Sequence, residues 1–503
     1  MKIGRMLCRM QVKQEIHNIK VILNQGRYSE AKEKAKNIIK TFPNDFNSWE
    51  ILGIVYSKSN QFRTAEKIFK KALELAPKAF SVWYNLAQTL KSLGDINSAI
   101  DGYKKCIELK PDFLNAFIGL GNLYFEQGIF SKAEAIYRKI IDLNKNHAPA
   151  HYSLGLVLHQ VGRLEEAEKS YKKSTLLNPK LYQAYSNRAV ILSTEGRFSE
   201  AISSYEEALS NSGNNALLLN NLGNAYEAVG NKEKAIICFQ QAIETDPKYA
   251  DAHYNLGLLL EKLNRYIEAK KHFRLALEAK SDFEDAKHML SALEGITTPS
   301  APLAYVKNLF DGYANNFENS LVKKLEYDIP EKLSKLILAK TQTRSYGAVL
   351  DLGCGTGLLG NYVKDKCEYL EGIDISQMML NKAKEKQIYD SLKCVSITNY
   401  LAKANLCFHN IVATDVFIYI GELSQIFYYI KKQSKISGHF SFSTEHSNKD
   451  KYYLEKSGRY SHSRDYIERL CLEHNFELKY FQLQNLRKEK SGYIKGGLYI
   501  LSF

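Results

Sequence analysis

Alanine recurs every 34 residues through the N-terminal half of the chain, and this period constrains the fold more than any other feature. A period of this length is typical of helical repeat proteins, in which each repeat is one pair of helices. A single pair cannot bury both of its faces, so neighbouring pairs must stack around a common core. The alanines are Ala31, Ala65, Ala99, Ala133, Ala167, Ala201, Ala235 and Ala269.

A second small residue precedes each of the later alanines by twelve positions. Small side chains at both positions allow the two helices of a repeat to approach closely. The turn between them always carries Gly or Asn, which tolerate the left-handed conformation at a helix C-terminus. The small residues are Gly53, Ala87, Gly121, Gly155, Ala189, Gly223 and Gly257, and the turn residues are Gly26, Asn60, Gly94, Gly128, Gly162, Gly196, Gly230 and Asn264.

An aromatic residue stands four positions after most of the alanines and completes the repeat pattern. The pattern resembles eight tetratricopeptide repeats over residues 11–281, and it predicts an α-solenoid, a tetratricopeptide superhelix. Residues 284–295 suit a capping helix, so we place the solenoid at residues 11–296, after an N-terminal segment of residues 1–10. The aromatic residues are Phe69, Tyr103, Tyr137, Tyr171, Tyr205, Phe239 and Phe273.

The first helix of several repeats carries an asparagine at the position that faces the concave groove in tetratricopeptide proteins. The spacing resembles the asparagine ladder in the tetratricopeptide domain of O-linked N-acetylglucosamine transferases. This resemblance implies a protein or peptide partner, whose extended backbone the side-chain amides bind. The alternative is that some of these amides only form hydrogen bonds with loop backbone or with water. The groove candidates are Asn85, Asn187, Asn221 and Asn255.

The second half of the chain shows a different pattern. Residues 297–304 contain Pro299 and Pro302 and are interpreted as a short, stiff linker. In residues 305–503, strand-like and helical segments alternate, which predicts an α/β Rossmann-like domain with a mostly parallel seven-stranded sheet. The expected strands are 349–352, 370–373, 392–397, 411–413 and 439–443, followed by two antiparallel strands at 476–483 and 497–503.

A glycine-rich turn follows the first expected strand. Gly353, Gly355 and Gly357 allow the backbone to turn sharply against a ligand before a helix that is predicted from Leu358. Asp374 ends the second strand, where its carboxylate can accept hydrogen bonds from both hydroxyls of a ribose. The dinucleotide-binding fingerprint also pairs a glycine turn with such an acid, but its glycines follow G-x-G-x-x-G.

The runs 351–357 and 372–376 resemble motifs I and II of the class I S-adenosylmethionine-dependent methyltransferases, and the resemblance implies S-adenosyl-L-methionine as cofactor. Asp351 is then expected to orient its amino end and Asp374 to bind its ribose. Ser396 aligns where relatives have an acid that accepts from adenine, so we expect weaker adenine binding. Tyr313 is a candidate cover for the cofactor. The cofactor-binding candidates are Asp351, Gly353, Cys354, Gly355, Gly357, Asp374, Ile375, Ser396 and Tyr313.

Three polar residues are candidate catalytic groups. Asp415 follows the fourth expected strand, Glu445 follows the fifth, and His462 lies in the later run 457–463. A base is needed only if the acceptor arrives protonated; packing or loop stabilisation is the alternative for each residue. The runs 305–314, 415–419 and 457–463 resemble bacterial tetratricopeptide-repeat methyltransferases, which share this domain order over essentially the whole chain.

Composition narrows the cellular setting. The net charge of +14 is spread over both halves and is interpreted as a solvated basic surface, with nucleic acid as a less favoured partner. The eight cysteines show no metal-ligand spacing, so no metal is expected. The chain has no apolar run long enough to span a membrane, and its start lacks the apolar core of a signal peptide. We therefore expect a cytoplasmic protein without a membrane partner.

The leading hypothesis is a methyltransferase that modifies a protein recruited by the repeat groove. One alternative is an interaction scaffold whose cofactor domain is not catalytic. Another is a small-molecule or nucleic-acid methyltransferase whose repeats serve only assembly.

Overall fold

The computed structural model describes residues 2–314, 317–489 and 492–503. The chain divides into two compact units, one up to Ile191 and one from Leu192. The division falls inside a helix, Tyr182–Thr194. None of the described helices is both long and apolar enough to cross a bilayer.

The first unit consists of antiparallel helix pairs, as the repeat pattern predicts. Some helices begin at a side-chain cap, because the first backbone N–H groups of a helix have no partner within it. Asp45, for example, accepts from the backbone N–H of Ser48 at 2.9 Å. The helices are α1 (Lys2–Asn24), α2 (Tyr28–Thr41), α3 (Phe46–Lys58), α4 (Phe62–Leu75), α5 (Phe80–Ser92), α6 (Ile96–Leu109), α7 (Leu114–Glu126), α8 (Phe130–Leu143), α9 (Ala148–Gln160), α10 (Leu164–Leu177) and α11 (Tyr182–Thr194).

The second unit begins with further helix pairs of the same kind. Its last helix of this series ends at Gly295, which adopts the left-handed conformation typical of a helix C-terminus. That helix occupies the segment in which a capping helix is predicted. The helices are α12 (Phe198–Ser212), α13 (Ala216–Ala228), α14 (Lys232–Thr245), α15 (Ala250–Lys262), α16 (Tyr266–Ala279) and α17 (Glu284–Glu294).

Within several repeats in both units, a glycine of the first helix faces the aromatic ring of the second helix. A Cβ atom added to the glycine would lie too close to that ring for any ordinary contact, so only glycine permits this helix spacing. This confirms that the small residues of the repeat pattern allow close approach of the two helices. The pairs are Gly53 with Phe69 at 2.5 Å, Gly155 with Tyr171 at 2.6 Å, Gly223 with Phe239 at 2.6 Å and Gly257 with Phe273 at 2.7 Å.

The rest of the second unit is an α/β fold. The helix after the glycine turn begins at Gly360 rather than at Leu358. The helices are α18 (Leu303–Tyr313), α19 (Ile329–Thr341), α20 (Gly360–Val363), α21 (Gln377–Glu385), α22 (Ile397–Lys403), α23 (Ser424–Gln433) and α24 (Arg464–His474), with a π-helical turn at Asn319–Lys324 and 3-10 turns at Lys364–Lys366 and Phe417–Tyr419. The strands are β1 (Gly347–Leu352), β2 (Cys367–Asp374), β3 (Ser391–Cys394), β4 (Asn410–Ala413), β5 (His439–His446), β6 (Tyr452–Leu454), β7 (Tyr460–His462), β8 (Glu477–Glu489) and β9 (Gly492–Ser502).

The described strands form one sheet. Strands β3, β2, β1, β4 and β5 are parallel in that order, and β9 pairs antiparallel with both β5 and β8. The mostly parallel sheet is confirmed, but the prediction of seven strands is wrong, because β6 and β7 form an additional hairpin beside the end of β5. Each of these two strands has only three residues, too few for a period-two pattern to show in the sequence.

The third strand is shorter than predicted. It ends at Cys394, because Ser396 is already the N-cap residue of α22, which begins at Ile397. The order of the sheet reverses between β1 and β4, since β2 follows β1 on one side and β4 lies on the other. In open α/β sheets, ligands bind at the carboxyl ends of the strands beside such a point.

The segment that connects α17 to α18 is bonded to the α/β fold. The backbone N–H of Ala301 donates to the carbonyl of Tyr419 at 3.0 Å, and the N–H of Gly421 donates to the carbonyl of Pro299 at 2.9 Å. The hydroxyls of Thr298 and Tyr460 lie 2.6 Å apart. The segment expected to be a linker is therefore held along the α/β fold by several hydrogen bonds.

Candidate active site

A cavity of about 780 Å³ lies at the carboxyl ends of β1, β2 and β4. It contains most of the residues that the sequence predicts for the cofactor, but Asp351 and Gly357 are not part of its wall. Helices α15, α17 and α18 contribute to the same wall. The predicted cofactor residues in the wall are Gly353, Cys354, Gly355, Asp374, Ile375, Ser396 and Tyr313.

The three glycines of the turn all have positive φ, at +70° for Gly353, +55° for Gly355 and +81° for Gly357. A Cβ on Gly353 would lie 2.6 Å from Val416, so packing and backbone conformation both require glycine there. The nearest atom to a Cβ on Gly355 is 3.9 Å away, on Phe317. Gly355 thus presents bare backbone to open space in the cavity, where a side chain would occupy room that a ligand can use.

Asp374 is fixed by the backbone on both sides of its carboxylate. Its Oδ1 accepts from the N–H of Ser376 at 2.8 Å, and its Oδ2 accepts from the N–H of Gly355 at 2.9 Å. Burial raises the pKa of Asp374, while these backbone hydrogen bonds lower it. Each carboxylate oxygen has two lone pairs, so both can still accept a hydrogen bond from a ligand hydroxyl.

Asp351 lies outside the cavity wall and is fully buried. The hydroxyl of Tyr389 donates to its Oδ2 at 2.6 Å, and its Oδ1 has no hydrogen-bond partner. Burial raises the pKa of Asp351 to about 7, the bond from Tyr389 lowers it, and the nearby charge of Asp374 raises it. The expected contact of Asp351 with the cofactor remains a prediction.

Asp415 combines backbone strain with an unpaired acceptor atom. Its φ is +59°, which is unfavourable for a residue with a Cβ, and its N–H donates to Ser443 Oγ at 2.8 Å. Its Oδ1 is buried without a partner, and the residue lines the cavity. Strained residues of this kind cluster at functional sites, where the surrounding structure holds them in place.

Two arginines bind the carboxylates at this end of the cavity. Arg487 is 4% exposed and donates to Asp415 Oδ2 at 2.5 Å and to Glu445. Arg459 donates to Glu489 at 2.6 Å and lies 2.9 Å from Glu445. The cluster therefore contains three carboxyl groups and two guanidinium groups, and burial raises the pKa of Glu445 while both arginines lower it.

The structure does not bring His462 to the cavity. His462 is fully buried in β7, and its Nε2 lies 3.0 Å from the carbonyl oxygens of Ile420 and Gly421, to which it can donate only as an N–H. Burial lowers the pKa of His462 to about 4, so the ring is neutral at pH 7. We therefore do not include His462 among the catalytic candidates.

The asparagines predicted to face a groove connect neighbouring repeats instead of standing free. In the first unit, Asn85 donates to Glu50 at 2.9 Å and Asn187 donates to the hydroxyl of Tyr152 at 3.4 Å. In the second unit, Asn255 donates to Asn220 at 2.9 Å. Each bond spans 35 positions and uses the amide nitrogen of the predicted asparagine as the donor. Asn221 is half-buried.

Sequence reasoning assigned no binding or catalytic role to Arg487, whereas Arg459 in the run 457–463 was expected, with His462, to orient the substrate. The signal that could have found Arg487 is the run Leu486-Arg487 with Glu489, which also resembles the repeat methyltransferases. No group of three or more His, Cys, Asp or Glu side chains arranged to hold a metal occurs among the residues that the structure describes.

Known families match both parts of the chain. The Tetratricopeptide repeat family matches residues 46–78, and the family described as Cilia and flagella-associated protein 70 C-terminal domain matches residues 79–293. The family described as Methyltransferase domain matches residues 350–440, which include the glycine turn and Asp374. The chain therefore carries tetratricopeptide repeats followed by a methyltransferase domain.

Short stretches of the chain are similar to curated enzymes. The 18S rRNA (guanine-N(7))-methyltransferase of Bos taurus is 54% identical over 39 residues, which is 8% of this chain and 14% of that protein. The protein of the same name from Mus musculus is 35% identical over 68 residues, 14% of this chain and 24% of that protein. The chain thus spans less than a quarter of the length of these relatives. Both are mammalian, so the bacterial affiliation implied by the resemblance remains a prediction.

Among solved structures, the crystal structure of YrrB, a tetratricopeptide protein with an unusual peptide-binding site, is similar in its repeats. It is 26% identical, covers 37% of this chain and 95% of its own chain, and has a TM-score of 0.33.

Proposed function

We propose that the chain is an S-adenosylmethionine-dependent methyltransferase whose acceptor is a protein recruited by the repeats. One observation supports this most directly. A single cavity is lined by Gly355, whose Cβ position faces open space, by Asp374, and by Asp415, whose Oδ1 has no hydrogen-bond partner. Such a site offers backbone for a cofactor on one side and an oriented acceptor atom on the other.

The residues in the wall fit the proposed cofactor. Asp374 has acceptor capacity for two ribose hydroxyls, and the open face of Gly355 leaves room for the methionine part. Ser396 Oγ is buried in the wall without a partner, so it can bond to a polar edge of the adenine ring. When bound, the cofactor would supply an electrophilic methyl group on a sulfonium sulfur.

The chain's own residues would position the acceptor and exclude water. Asp415 can accept a hydrogen bond from the acceptor group through Oδ1, while Arg487 holds the other carboxylate oxygen. Phe310 and Tyr419 pack edge to face with ring centroids 5.4 Å apart in the cavity wall. Tyr313, which is 49% exposed, belongs to the same wall.

The protein acceptor is supported by the repeats. Tetratricopeptide repeats commonly bind polypeptides, and α15 and α17 of the last repeats line the same cavity as Asp415. A polypeptide held by these helices would therefore lie beside the reacting group, where its effective concentration is high.

RNA is a second candidate acceptor. The curated relatives carry the name of an rRNA methyltransferase, and the net charge of +14 favours contact with a polyanion. A protein acceptor is favoured because the cavity wall includes repeat helices, and because its arginines are already paired with carboxylates.

Two measurements test the proposal. Titration calorimetry with S-adenosylmethionine should detect binding, which Asp374→Asn should weaken by at least about tenfold because the amide presents one acceptor oxygen in place of two. Absence of binding at millimolar cofactor concentration would contradict the proposal. Incubation of a lysate with methyl-labelled cofactor, followed by separation of protein, RNA and small molecules, should then place the label in protein.

A further inference from the structure

The cavity continues from the cofactor residues to α15 of the last repeat and to α17, the helix that follows the last repeat. Helix α15 contributes Tyr254, Glu261 and Lys262 to its wall, and α17 contributes Asp285 and Met289. The repeats therefore do more than lie near the site, because their side chains form part of it. Whatever reaches Asp415 from this side passes the side chains of α15 and α17.

Helix α17 is fixed against the loop that carries Arg459. His288 Nε2 lies 2.9 Å from the carbonyl oxygen of Gly458, to which it can donate. Gly458 has a φ of +75°, and a Cβ there would lie 2.7 Å from Met289 Sδ. This close contact sets the position of Asp285 relative to the buried arginines.

Tyrosines line the way from Asp285 to Asp415. Burial raises the pKa of Tyr305 to about 12; Arg459 lowers it and Asp285 raises it, so the phenol is within electrostatic reach of both. Burial also raises the pKa of Tyr419, and both Tyr305 and Asp415 contribute to that increase. Both tyrosines line the cavity that Asp285 and Asp415 also line.

The charges along this path favour a cationic side chain. Three of the four cations in the wall are ion-paired, while the fourth, Lys324, is exposed. In the described ranges, no hydrogen bond or ion pair involves the Asp285 carboxylate, and Lys280 is the cation whose charge acts on it. Burial raises the pKa of Asp285, as expected for a carboxyl that lacks a close partner. At the inner end, three carboxyl groups face two guanidinium groups.

From this arrangement we infer that the cavity admits the side chain of a lysine in the protein acceptor, an inference that rests on the proposed function. The apolar stem of lysine suits the tyrosine walls, and its ammonium group is attracted by Asp285 at the repeat end and by the phenol rings. At the inner end, desolvation favours the neutral amine, which forms when the ammonium group releases a proton to solvent and which is the nucleophile. Asp415 Oδ1 accepts one N–H and thereby aims the nitrogen lone pair.

Other acceptor groups fit less well. A guanidinium keeps its proton far more strongly than an ammonium, and the carboxylates that could act as a base, Asp415 and Glu445, are bound to Arg487. A carboxylate acceptor would add a negative charge beside Asp415 and Asp285.

In the transfer, the amine lone pair forms the N–C bond while the C–S bond of a sulfonium methyl donor breaks. The electron pair of the broken bond stays on sulfur, which becomes a neutral thioether. One N–H proton then leaves to solvent, so the products are N-methyl-lysine, the thioether and a proton.

The modified residue identifies the acceptor directly. The full chain is incubated with methyl-labelled S-adenosylmethionine and a protein extract, and the labelled protein is hydrolysed for amino-acid analysis. The expected product is N-methyl-lysine. A base-labile methyl ester, methylarginine or label in RNA would overturn the lysine inference and leave the methyltransferase proposal intact, whereas absence of both cofactor binding and label would overturn the methyltransferase proposal itself.

Variants of α17 test whether the acceptor lysine passes Asp285 on its way to Asp415. Asp285→Asn should raise the KM for the protein acceptor about tenfold, with kcat and cofactor affinity nearly unchanged, because it removes a charge that binds the ammonium group but does not touch the reacting atoms. Asp282→Asn is the matched control, since Asp282 is exposed just before α17 and does not line the cavity. Asp285→Glu should restore most of the lost affinity. Equal KM values for Asp285→Asn and Asp282→Asn would contradict the binding of the acceptor ammonium group by Asp285.

A binding measurement avoids any dependence on turnover. The capped peptide Ala-Ala-Lys-Ala-Ala and its norleucine counterpart differ only in the amino group. Saturation-transfer NMR should show stronger transfer to the lysine peptide, and Asp285→Asn should reduce that difference while thermal unfolding confirms that the variant is folded. Equal transfer to both peptides contradicts a site that selects the ammonium group.

Discussion

Arg487 binds the carboxylate of Asp415 at 2.5 Å, although 72 positions separate the two residues in the sequence. The same guanidinium holds Glu445 in β5, so one side chain from β8 joins the ends of two parallel strands. Asp415 needs such support, because its backbone is in the left-handed region. The pair therefore fixes the Asp415 carboxylate, whose other oxygen, Oδ1, is buried without a hydrogen-bond partner.

Replacement of Arg487 should destabilise the second unit strongly. Arg487→Met leaves Asp415 and Glu445 buried without their shared counter-charge, which typically costs about 3 to 5 kcal/mol. Urea unfolding followed by circular dichroism measures the loss, with the fluorescence of Trp49 and Trp83, both in the first unit, as a reference. Lys488→Met is the control, because Lys488 is exposed and pairs with Glu326, which is also exposed. Similar stabilities for the two variants would show that the buried cluster does not stabilise the fold.

Replacement of Gly355 should weaken cofactor binding more than it destabilises the fold. Gly355→Ala introduces a methyl group into open cavity space and places a Cβ at a φ of +55°, a strain of about 1 to 2 kcal/mol. We expect a loss of cofactor affinity of at least about tenfold by calorimetry, beyond the change in thermal stability. Gly312→Ala is the control, because Gly312 lies in α18 with no atom near its Cβ position. Undiminished affinity in Gly355→Ala would place the cofactor elsewhere.

His462 should make the protein sensitive to acid. Its folded-state pKa of about 4 lies below the ordinary value of 6.5, so the unfolded chain binds a proton more readily than the folded one. The contribution of His462 to stability is therefore complete above pH 6.5 and is lost as the pH falls toward 4, by up to about 3 kcal/mol. His462→Gln should remove most of this pH dependence from the free energy of unfolding, measured in urea at pH 7 and pH 4.5. An unchanged pH dependence would contradict the burial of a neutral ring.

The close contact between the glycine and the aromatic ring within a repeat should make a larger side chain at the glycine position measurably destabilising. Gly223→Ala places a Cβ 2.6 Å from the ring of Phe239 and should destabilise the protein by about 1 to 3 kcal/mol. Adding Phe239→Leu to Gly223→Ala should recover part of that loss, because a smaller side chain makes room for the methyl group. A double-mutant cycle on thermal unfolding tests this coupling, and additive effects would mean that the two residues do not press on each other.

The repeats were predictable because their information is local and periodic. The sequence shows the small residue and the aromatic residue as two separate series, and the structure joins them into pairs such as Gly53 with Phe69. The hairpin of β6 and β7 could not be predicted, since three-residue strands carry no periodic signal and depend on the end of β5 for pairing.

The candidate site was predictable in part, because some of its residues lie in short motifs that are recognisable in the sequence. Gly353 to Gly357 and Asp374 each follow a recognisable strand, and the order of the sheet brings those strand ends together. Arg487 and Asp285 lie far from these motifs in the sequence, and only tertiary packing brings them to the same cavity. His462 illustrates the converse, because a histidine in a recognisable run is buried against two carbonyl groups instead of reaching the site.

The contact of His288 with Gly458 has a consequence for the evolution and engineering of the chain. The last repeat ends against the sheet and shares a cavity with it, so it cannot be exchanged for an unrelated repeat without rebuilding that wall. The number and surface of the upstream repeats can thus change independently, while the terminal repeat must be inherited together with the methyltransferase domain.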